Sequence, residues 1–196
     1  MWNLRAAILA LVWASSLATG CYRGTATTVS AADSKRGPEW TVVRGMTFIP
    51  QTQDVDCGAA ALAMVFKHWS VPLSKDDIWR QLKPNAIDGI AAGALRDMAV
   101  KQGLRAFAIP GEEADLNVEL TQGRPVLVGL VQRYGDRARA HYVVVIGINR
   151  VGRRVLMMDP ARGLRDDKWD GFFSEWSAAG RTMLVVVASG LEKHDQ

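Results

Sequence analysis

The chain has 196 residues, the length of one domain of ordinary size, and 48% of them are apolar, as expected for a globular protein with a substantial core. A second full domain is not expected. The net charge of +4 is spread over short segments without a long run of like charges, which excludes the basic arm typical of a nucleic-acid binder.

The first part of the chain, residues 1–20, has the pattern of an export signal. Arg5 precedes the apolar stretch AAILALVWASSLA, which is too short and wrongly flanked for a stable membrane span. The small residues ATG then lead to Cys21 in a pattern that resembles the bacterial lipobox, in which the cysteine is acylated and becomes the new amino terminus. The sequence therefore predicts a lipoprotein anchored in the cell envelope through Cys21, at the outer membrane facing the periplasm if the cell is Gram-negative. Ordinary cleavage that leaves Cys21 free is the alternative.

The remaining elements can be taken in chain order. Residues 21–39 are small and polar, which predicts a flexible tether before a domain over 40–190 and a polar tail at 191–196. A strand in TVVRGMTFIP, a buried helix over 58–69 and helices in SKDDIWRQL and AAGALRDMAVKQG come first. The strand LRAFAI, a helix in EEADLNVELTQG and the strand VLVGLV follow. The β-branched runs HYVVVIGI, RRVLMMD and RTMLVVVA, with a helical turn in FFSEW, complete an α+β fold of segregated helices and antiparallel strands.

Cys57 stands at the start of the first long helix, directly after Asp56, a good N-cap residue. This placement sets the sulfur beside unpaired backbone N–H groups and the positive end of the helix dipole, which favours the thiolate. Gly58 removes a side chain where a substrate or a strand must come close. If Cys21 carries lipid, Cys57 has no disulfide partner, and a lone thiol in an oxidising compartment favours a chemical role. A small buried cysteine at a helix start is the alternative.

Three histidines are candidates for the base that a nucleophilic thiolate needs. His194 lies in the polar tail, and His68 lies along the same helix, about 16 Å from Cys57 at the helical rise. His141 remains, at the start of HYVVVIGI, while Asp159 closes RRVLMMD. A hairpin centred near the turn NRVG places these two opposite each other, so that the carboxylate holds one ring nitrogen and leaves the other for the thiol. A register slip of one residue would separate them.

Gln51 is the candidate donor to an oxyanion. The carbonyl attacked in acyl transfer becomes an oxyanion, and a side-chain amide together with the N–H of the nucleophile is a common pair of donors. An extended segment from Gln51 to Asp56 can return the amide over the sulfur. Gln51 and Gln53 can equally be surface residues, and the sequence does not separate them.

The blocks IPQTQDVDCGAAALAMV, HYVVVIGI and MMDPARG resemble, in this order, the motifs of the bacteriocin-processing cysteine peptidases, papain-like domains that cut leader peptides after a Gly-Gly pair. The resemblance covers about residues 45–188 and includes the closing FFSEWSAAGRTMLVVVA. It implies a papain-like fold with the thiol in a cleft between helix and sheet. It also implies Cys57 as nucleophile, His141 as general base and acid, Asp159 as its orienter and Gln51 as oxyanion donor. No metal or other cofactor is implied.

The expected function is therefore a cysteine peptidase of the cell envelope that cleaves a peptide or protein through an acyl-enzyme, with a Gly-Gly preference as an expectation. The best-known members of that family are amino-terminal domains of ABC exporters. This sequence has an export signal and no ATP-binding motif, so the usual leader substrate is not expected to transfer. Two alternatives stay open: an acyl transferase that uses the same groups, and a non-catalytic peptide-binding module that keeps the fold.

Overall fold

The computed structural model describes residues 22–30, 36–82, 84 and 89–188. The described residues form five helices and eight strands. The helices are α1 (Cys57–His68), α2 (Lys75–Leu82), α3 (Ala92–Lys101), α4 (Glu113–Thr121) and α5 (Trp169–Ala178). The strands are β1 (Thr27–Thr28), β2 (Thr41–Val42), β3 (Arg105–Pro110), β4 (Val126–Tyr134), β5 (Arg137–Asn149), β6 (Arg154–Asp159), β7 (Gly163–Lys168) and β8 (Thr182–Val187).

The strands form one antiparallel sheet in the order β1-β7-β6-β5-β4-β8-β3, and β2 pairs with β5 beside this path. Successive side chains of a strand point to opposite faces of the sheet. Because the central strands are apolar at consecutive positions, both faces of the sheet carry apolar side chains. One face packs against α1 and α3, and the other packs against α4 and α5. The predicted α+β class, with helices on an antiparallel sheet, is confirmed.

Helix α1 is the apolar helix that the spacing of Ala61, Leu62, Val65 and Phe66 predicts. Every residue from Cys57 to Phe66 is buried, and the helix packs against the sheet with these side chains. Its last turn ends in a lysine and a histidine, which suit the negative end of the helix dipole. The position of Cys57 is therefore fixed by the packing of a whole helix.

The predicted ends of α2 and α3 are also found. The hydroxyl of Ser74 accepts a hydrogen bond from the N–H of Asp77 at 3.1 Å, and the Asp77 carboxylate accepts one from the N–H of Ser74 at 3.2 Å. This reciprocal pair is a capping box. Helix α3 ends at Lys101 with Gln102 as its C-cap, and Gly103 follows with a φ of 81°, a left-handed conformation that glycine adopts without strain. The helical turn predicted in FFSEW is part of the longer helix α5.

The hairpin of β5 and β6 has a different register from the predicted one. The turn lies between Asn149 and Arg154, which pair with each other, so the strands are displaced by three residues from a hairpin centred at position 150. A bulge between Val145 and Gly147 reduces this displacement by one residue. The net shift of two residues sets Asp159 level with position 143 instead of 141. Because side chains alternate with a period of two, positions 141 and 159 still face the same side.

Strands β7 and β1 are not predicted from the sequence. The buried residues of β7 are Arg165, Asp166 and Asp167, which take part in ion pairs and hydrogen bonds. Apolar alternation therefore gives no strand signal here. Strand β1 pairs with β7, so residues 22–30, which the sequence places in a flexible tether, lie on the sheet. Polar side chains and backbone groups make this contact, and an apolar pattern cannot reveal it.

The predicted signal peptide at residues 1–20, Cys21 and the polar tail at 191–196 lie outside the described residues. Within the part of the chain that is described, no helix combines the length and the hydropathy that crossing a membrane requires.

Candidate active site

Cys57 is the first residue of α1 and is 7% exposed. The first backbone hydrogen bond of the helix runs from the N–H of Ala60 to the carbonyl of Asp56 at 3.0 Å. The N–H groups of residues 57–59 therefore precede the helical ladder, at the end of the helix where the dipole is positive. A sulfur at this position lies beside donors that stabilise negative charge.

Asp56 does not cap α1 with its side chain, contrary to the prediction. Its carboxylate turns back into the loop of residues 51–56, where it accepts hydrogen bonds from the N–H groups of Thr52 at 3.1 Å and Gln53 at 3.2 Å. It also binds the ammonium of Lys75 at 2.8 Å. Burial raises the pKa of Asp56, but Lys75 and the loop donors bring it below its usual value. The loop and the half-buried Lys75 offer this carboxylate more donors than the helix end does. These contacts hold the loop in place.

His141 and Asp159 are in direct contact. Nε2 of His141 lies 2.8 Å from Oδ1 of Asp159, and the two residues are 9% and 0% exposed. Cys57 is the other residue whose side chain interacts with this ring, and its interaction raises the pKa of His141. Because Nε2 is occupied by the carboxylate, Nδ1 is the nitrogen left for the sulfur. The structure thus brings together the three side chains that the sequence places far apart.

The surroundings of His141 favour its protonated form. Burial by itself lowers the pKa of His141, but hydrogen bonds to Asp159 and Cys57 and the charges of both raise it to about 9. Burial likewise raises the pKa of Asp159, whereas His141 and the N–H of Ala161, at 2.8 Å from Oδ1, bring it below its usual value. An imidazolium between a carboxylate and a sulfur is the charge state that nucleophilic thiol chemistry requires.

Gln51 lies beside the turn that follows Asp159, because its N–H donates to the carbonyl of Pro160 at 3.0 Å. Its side-chain amide donates to the carbonyl of Gln53 at 3.1 Å, and its Oε1 is buried without a partner among the described residues. Gln51 is half-buried and Gln53 is exposed, which distinguishes the two glutamines. One N–H of the Gln51 amide is thus engaged by the loop itself.

Tyr142 is a neighbour of the thiol that the sequence analysis missed. A Cβ added at Gly58 would lie 3.2 Å from the Tyr142 ring, which confirms that Gly58 makes room for a neighbouring strand. Burial, and then the charge of Cys57, raise the pKa of Tyr142 to about 12, so its hydroxyl stays neutral. Strand alternation turns Tyr142 away from the side of His141, so the sequence pattern gave no reason to include it.

His68, the other histidine among the described residues, does not contribute to this site. Nε2 of His68 lies 3.1 Å from the carbonyl of Gly123, at the far end of α1 from Cys57. His194 lies outside the described residues. His141 is therefore the histidine that the described fold presents to the thiol.

Comparison with known proteins points to one family. A model of the Peptidase C39 family matches residues 46–189. The Lactococcin-G-processing and transport ATP-binding protein LagD of Lactococcus lactis subsp. lactis is 27% identical over 130 residues, which cover 66% of this chain and 17% of that protein. The chain thus spans less than a fifth of the length of this curated relative.

Solved structures agree with this match. The peptidase domain of Streptococcus ComA, described as a bi-functional ABC transporter involved in a quorum sensing pathway, superposes with a TM-score of 0.61 at 25% identity and covers 74% of this chain and 99% of that one. A double glycine motif protease from an AMS/PCAT transporter, in complex with the leader peptide, has a TM-score of 0.59 at 22% identity over 76% of this chain and 97% of its own. The predicted papain-like peptidase fold is confirmed by these likenesses.

Proposed function

The chain belongs to the Peptidase C39 family and is a cysteine-type peptidase, and from this premise we propose that Cys57, His141 and Asp159 form its catalytic triad. The observation that carries the proposal is the position of the buried His141 ring. One ring nitrogen binds the Asp159 carboxylate at 2.8 Å, and the Cys57 side chain interacts with the same ring and raises its pKa. This is the arrangement of nucleophile, base and orienting group that acyl transfer by a thiol needs.

In the proposed first step, the Cys57 thiolate attacks the carbonyl carbon of the peptide bond. A C–S bond forms, and the carbonyl electron pair moves to the oxygen. The backbone N–H of Cys57 and the side-chain amide of Gln51 donate to this oxyanion. The His141 imidazolium then gives its Nδ1 proton to the leaving amine, the C–N bond breaks, and a thioester remains.

In the second step, water replaces the amine. The neutral ring of His141 takes a proton from the water as its oxygen attacks the thioester carbon. The C–S bond breaks, Cys57 leaves as a thiolate, and the imidazolium is restored. Asp159 keeps the Nε2–H of the ring in place throughout, so that Nδ1 faces the sulfur and the substrate in both steps.

The proposed substrate is a peptide or protein with a Gly-Gly pair before the cleaved bond. One structural neighbour is a double glycine motif protease with a bound leader peptide, which supports this class. The proposed place of action is the cell envelope, with Cys21 as the lipid-bearing residue, facing the periplasm if the cell is Gram-negative. The export signal at residues 1–20 and the lipobox-like residues before Cys21 support this location.

Covalent capture tests the triad and the substrate class together. The purified protein is incubated with an electrophilic peptide ending in Gly-Gly, the adduct is mapped by mass spectrometry, and cleavage of Gly-Gly and Ala-Ala peptides is compared. We expect an adduct on Cys57 and cleavage after Gly-Gly, both lost in Cys57→Ala. Asp97→Asn, which changes an exposed ion pair with Arg96, is the control that keeps both.

Other results assign a different function. An adduct without turnover favours a binding module, and products that form only with an added amine favour an acyl transferase. A wild-type protein that forms no adduct contradicts the proposal.

A further inference from the structure

Residues 22–29, which we call the N-terminal strap, lie across β4 and β7. The N–H of Arg23 donates to the carbonyl of Arg133 at 3.0 Å, and the N–H of Val29 donates to the carbonyl of Leu164 at 3.0 Å. Between these points, β1 pairs with β7. The family match begins only at residue 46, so the strap is an addition to the matched domain.

Arg165 connects the strap to the proposed active site. This residue is 3% exposed, its Nη1 lies 3.5 Å from Oδ2 of Asp159, and its Nη2 donates to the carbonyl of Ala26 in the strap. Its guanidinium carbon also lies 4.7 Å from the ring centroid of Tyr22. A buried guanidinium is unstable without such partners, and the strap supplies both the carbonyl and the aromatic face.

Tyr22 is itself held on two sides. Its hydroxyl donates to Oε1 of Glu175 at 2.7 Å. The guanidinium of Arg162 lies 4.8 Å from the ring centroid of Tyr22 and 4.9 Å from that of Tyr134. Burial, and then the hydrogen bond with Glu175, raise the pKa of Tyr22, so the hydroxyl keeps its proton and remains a donor. The aromatic surface under Arg165 therefore has a fixed position.

Two glycines allow the strap to pack closely against α5. A Cβ added at Gly171 of α5 would fall on the hydroxyl of Thr25, which donates to Asp167, and would lie 3.2 Å from the Asp167 carboxylate. A Cβ added at Gly24 would fall on the Tyr22 hydroxyl and on the Glu175 carboxylate. At each of these two close approaches between the strap and α5, a glycine leaves room for the side chains of neighbouring residues.

Arg165 is surrounded by three buried carboxyl groups. Burial raises the pKa of Asp167 and of Glu175, and both stay above their usual values although Arg165 lowers them. The pKa of Asp159, raised by burial, lies below its usual value because His141, a backbone N–H and Arg165 all lower it. The other titratable or charged side chains that face this group come from five elements: Tyr22 from the strap, Tyr134 from β4, His141 from β5, Arg154 from β6 and Arg162 from the turn before β7.

We propose that the N-terminal strap is a working part of the active site and that Arg165 is the positioning residue through which it acts. The strap fixes Arg165, Arg165 keeps Asp159 ionised and oriented, and Asp159 sets the orientation and charge of His141. This inference rests on the proposed function, because it assigns the strap to the same triad. A chain without the strap contacts keeps its nucleophile but transfers protons less efficiently.

A wedge under the strap tests this without altering Arg165 or the triad. Gly171→Val puts a branched side chain where Thr25 lies, and Gly93→Val in α3, where an added Cβ meets nothing within 4 Å, is the matched control. The full-length protein is assayed for kcat, KM and the pH dependence of kcat/KM with a Gly-Gly peptide. We expect the wedge to lower kcat about 10- to 100-fold, as displaced reacting groups do, with KM almost unchanged. We also expect it to move the alkaline limb to lower pH, whereas the control matches the wild type.

Substitutions of Arg165 provide a second test of the proposal. Without its positioning cation Asp159 is expected to turn away from His141, so Arg165→Met should reproduce the loss in kcat and the shift of the alkaline limb. Arg165→Lys should restore part of both because it retains the charge. If Gly171→Val does not fold, Tyr22→Leu replaces it, since it removes the ring and the hydroxyl at a half-buried position. A folded wedge variant and a folded Arg165→Met with wild-type kcat and pH profile overturn the proposal. So does a loss of kcat that follows only the folded fraction while the alkaline limb stays in place.

Alkylation of Cys57 by iodoacetamide separates this inference from the peptidase assignment. If the wild type cleaves no peptide, the proposed function fails, yet the pH at which the alkylation rate changes still reports the titration of His141. A shift of that pH in Gly171→Val and not in Gly93→Val supports the role of the strap. Identical alkylation profiles in the two folded variants overturn it.

Discussion

Replacement of Asp159 by Asn tests the charge that the site places on His141. The pKa of His141 is raised from 6.5 to about 9 by Asp159 and Cys57 against the effect of burial. This difference corresponds to about 3 kcal/mol in favour of the imidazolium. Asn keeps the size of the side chain but removes one of the two negative charges. We therefore expect the pKa of His141 to fall by at least about one unit.

The same substitution has a second effect, on the opposite carboxylate oxygen. Oδ1 of Asp159 accepts from His141 and from the N–H of Ala161, and one amide oxygen can retain both contacts. The amide nitrogen then takes the place of Oδ2 and meets Nη1 of Arg165, a donor against a donor. Because the buried guanidinium loses the carboxylate of its ion pair, we expect the free energy of unfolding to fall by about 3 kcal/mol.

The assay is the pH dependence of kcat/KM for a Gly-Gly peptide, with chemical denaturation for stability. In the wild type, activity is expected to fall as pH rises through about 9, because His141 loses the proton that the leaving amine needs. In Asp159→Asn this alkaline limb is expected at least about one unit lower, while Asp97→Asn, an exposed carboxylate, leaves it in place. An unchanged alkaline limb in a folded Asp159→Asn protein would refute the assignment of Asp159 as the partner of His141.

Two further predictions concern packing and the loop. A Cβ added at Gly58 lies 3.2 Å from the Tyr142 ring, and Gly58→Val adds two further carbons there. We expect this substitution to lower the free energy of unfolding by about 2 kcal/mol. Gly93→Val, in open space, is expected to change it by less than about 0.5 kcal/mol. Lys75→Met removes the cation bound to the buried Asp56 carboxylate and is expected to lower the free energy of unfolding by about 2 kcal/mol at pH 7. Because the folded-state pKa of Asp56 lies below its ordinary 3.8, the stability that its charge contributes is present above that value and is lost as pH falls below it. Denaturation curves at pH 7 and pH 3 check this, and an equal difference at both values would count against the ion pair.

The contact between His141 and Asp159 could be predicted from the sequence although the predicted register was wrong. The position of the turn displaces the two strands by three residues from the predicted pairing, and the bulge reduces this displacement by one residue. Neither the turn position nor the bulge has a clear local signal in this sequence. Their sum is even, so both side chains kept the predicted face. The pairing of faces is thus more robust than the pairing of residues, because it depends only on whether the shift is odd or even.

The environment of Asp159 could not be predicted in the same way. Strand β7 buries charged residues, and the N-terminal strap is rich in small and polar residues. Neither segment therefore shows the apolar periodicity on which sequence reasoning depends. Arg165 contacts the strap, Asp159 and Tyr22 at once, and these partners are far apart in the chain. A polar network of this kind is defined by tertiary structure alone.

Asp56 shows how a local rule yields to tertiary structure, and what the site gains. At a helix start an aspartate is expected to cap, but here it organises the loop of residues 51–56. Cys57 and Gln51, the proposed nucleophile and oxyanion donor, are therefore the two ends of one braced segment. That segment is joined to the sheet where the N–H of Gln51 donates to the carbonyl of Pro160, the residue after Asp159. The helix half and the sheet half of the site consequently share a backbone hydrogen bond, and a displacement of either half is transmitted to the other.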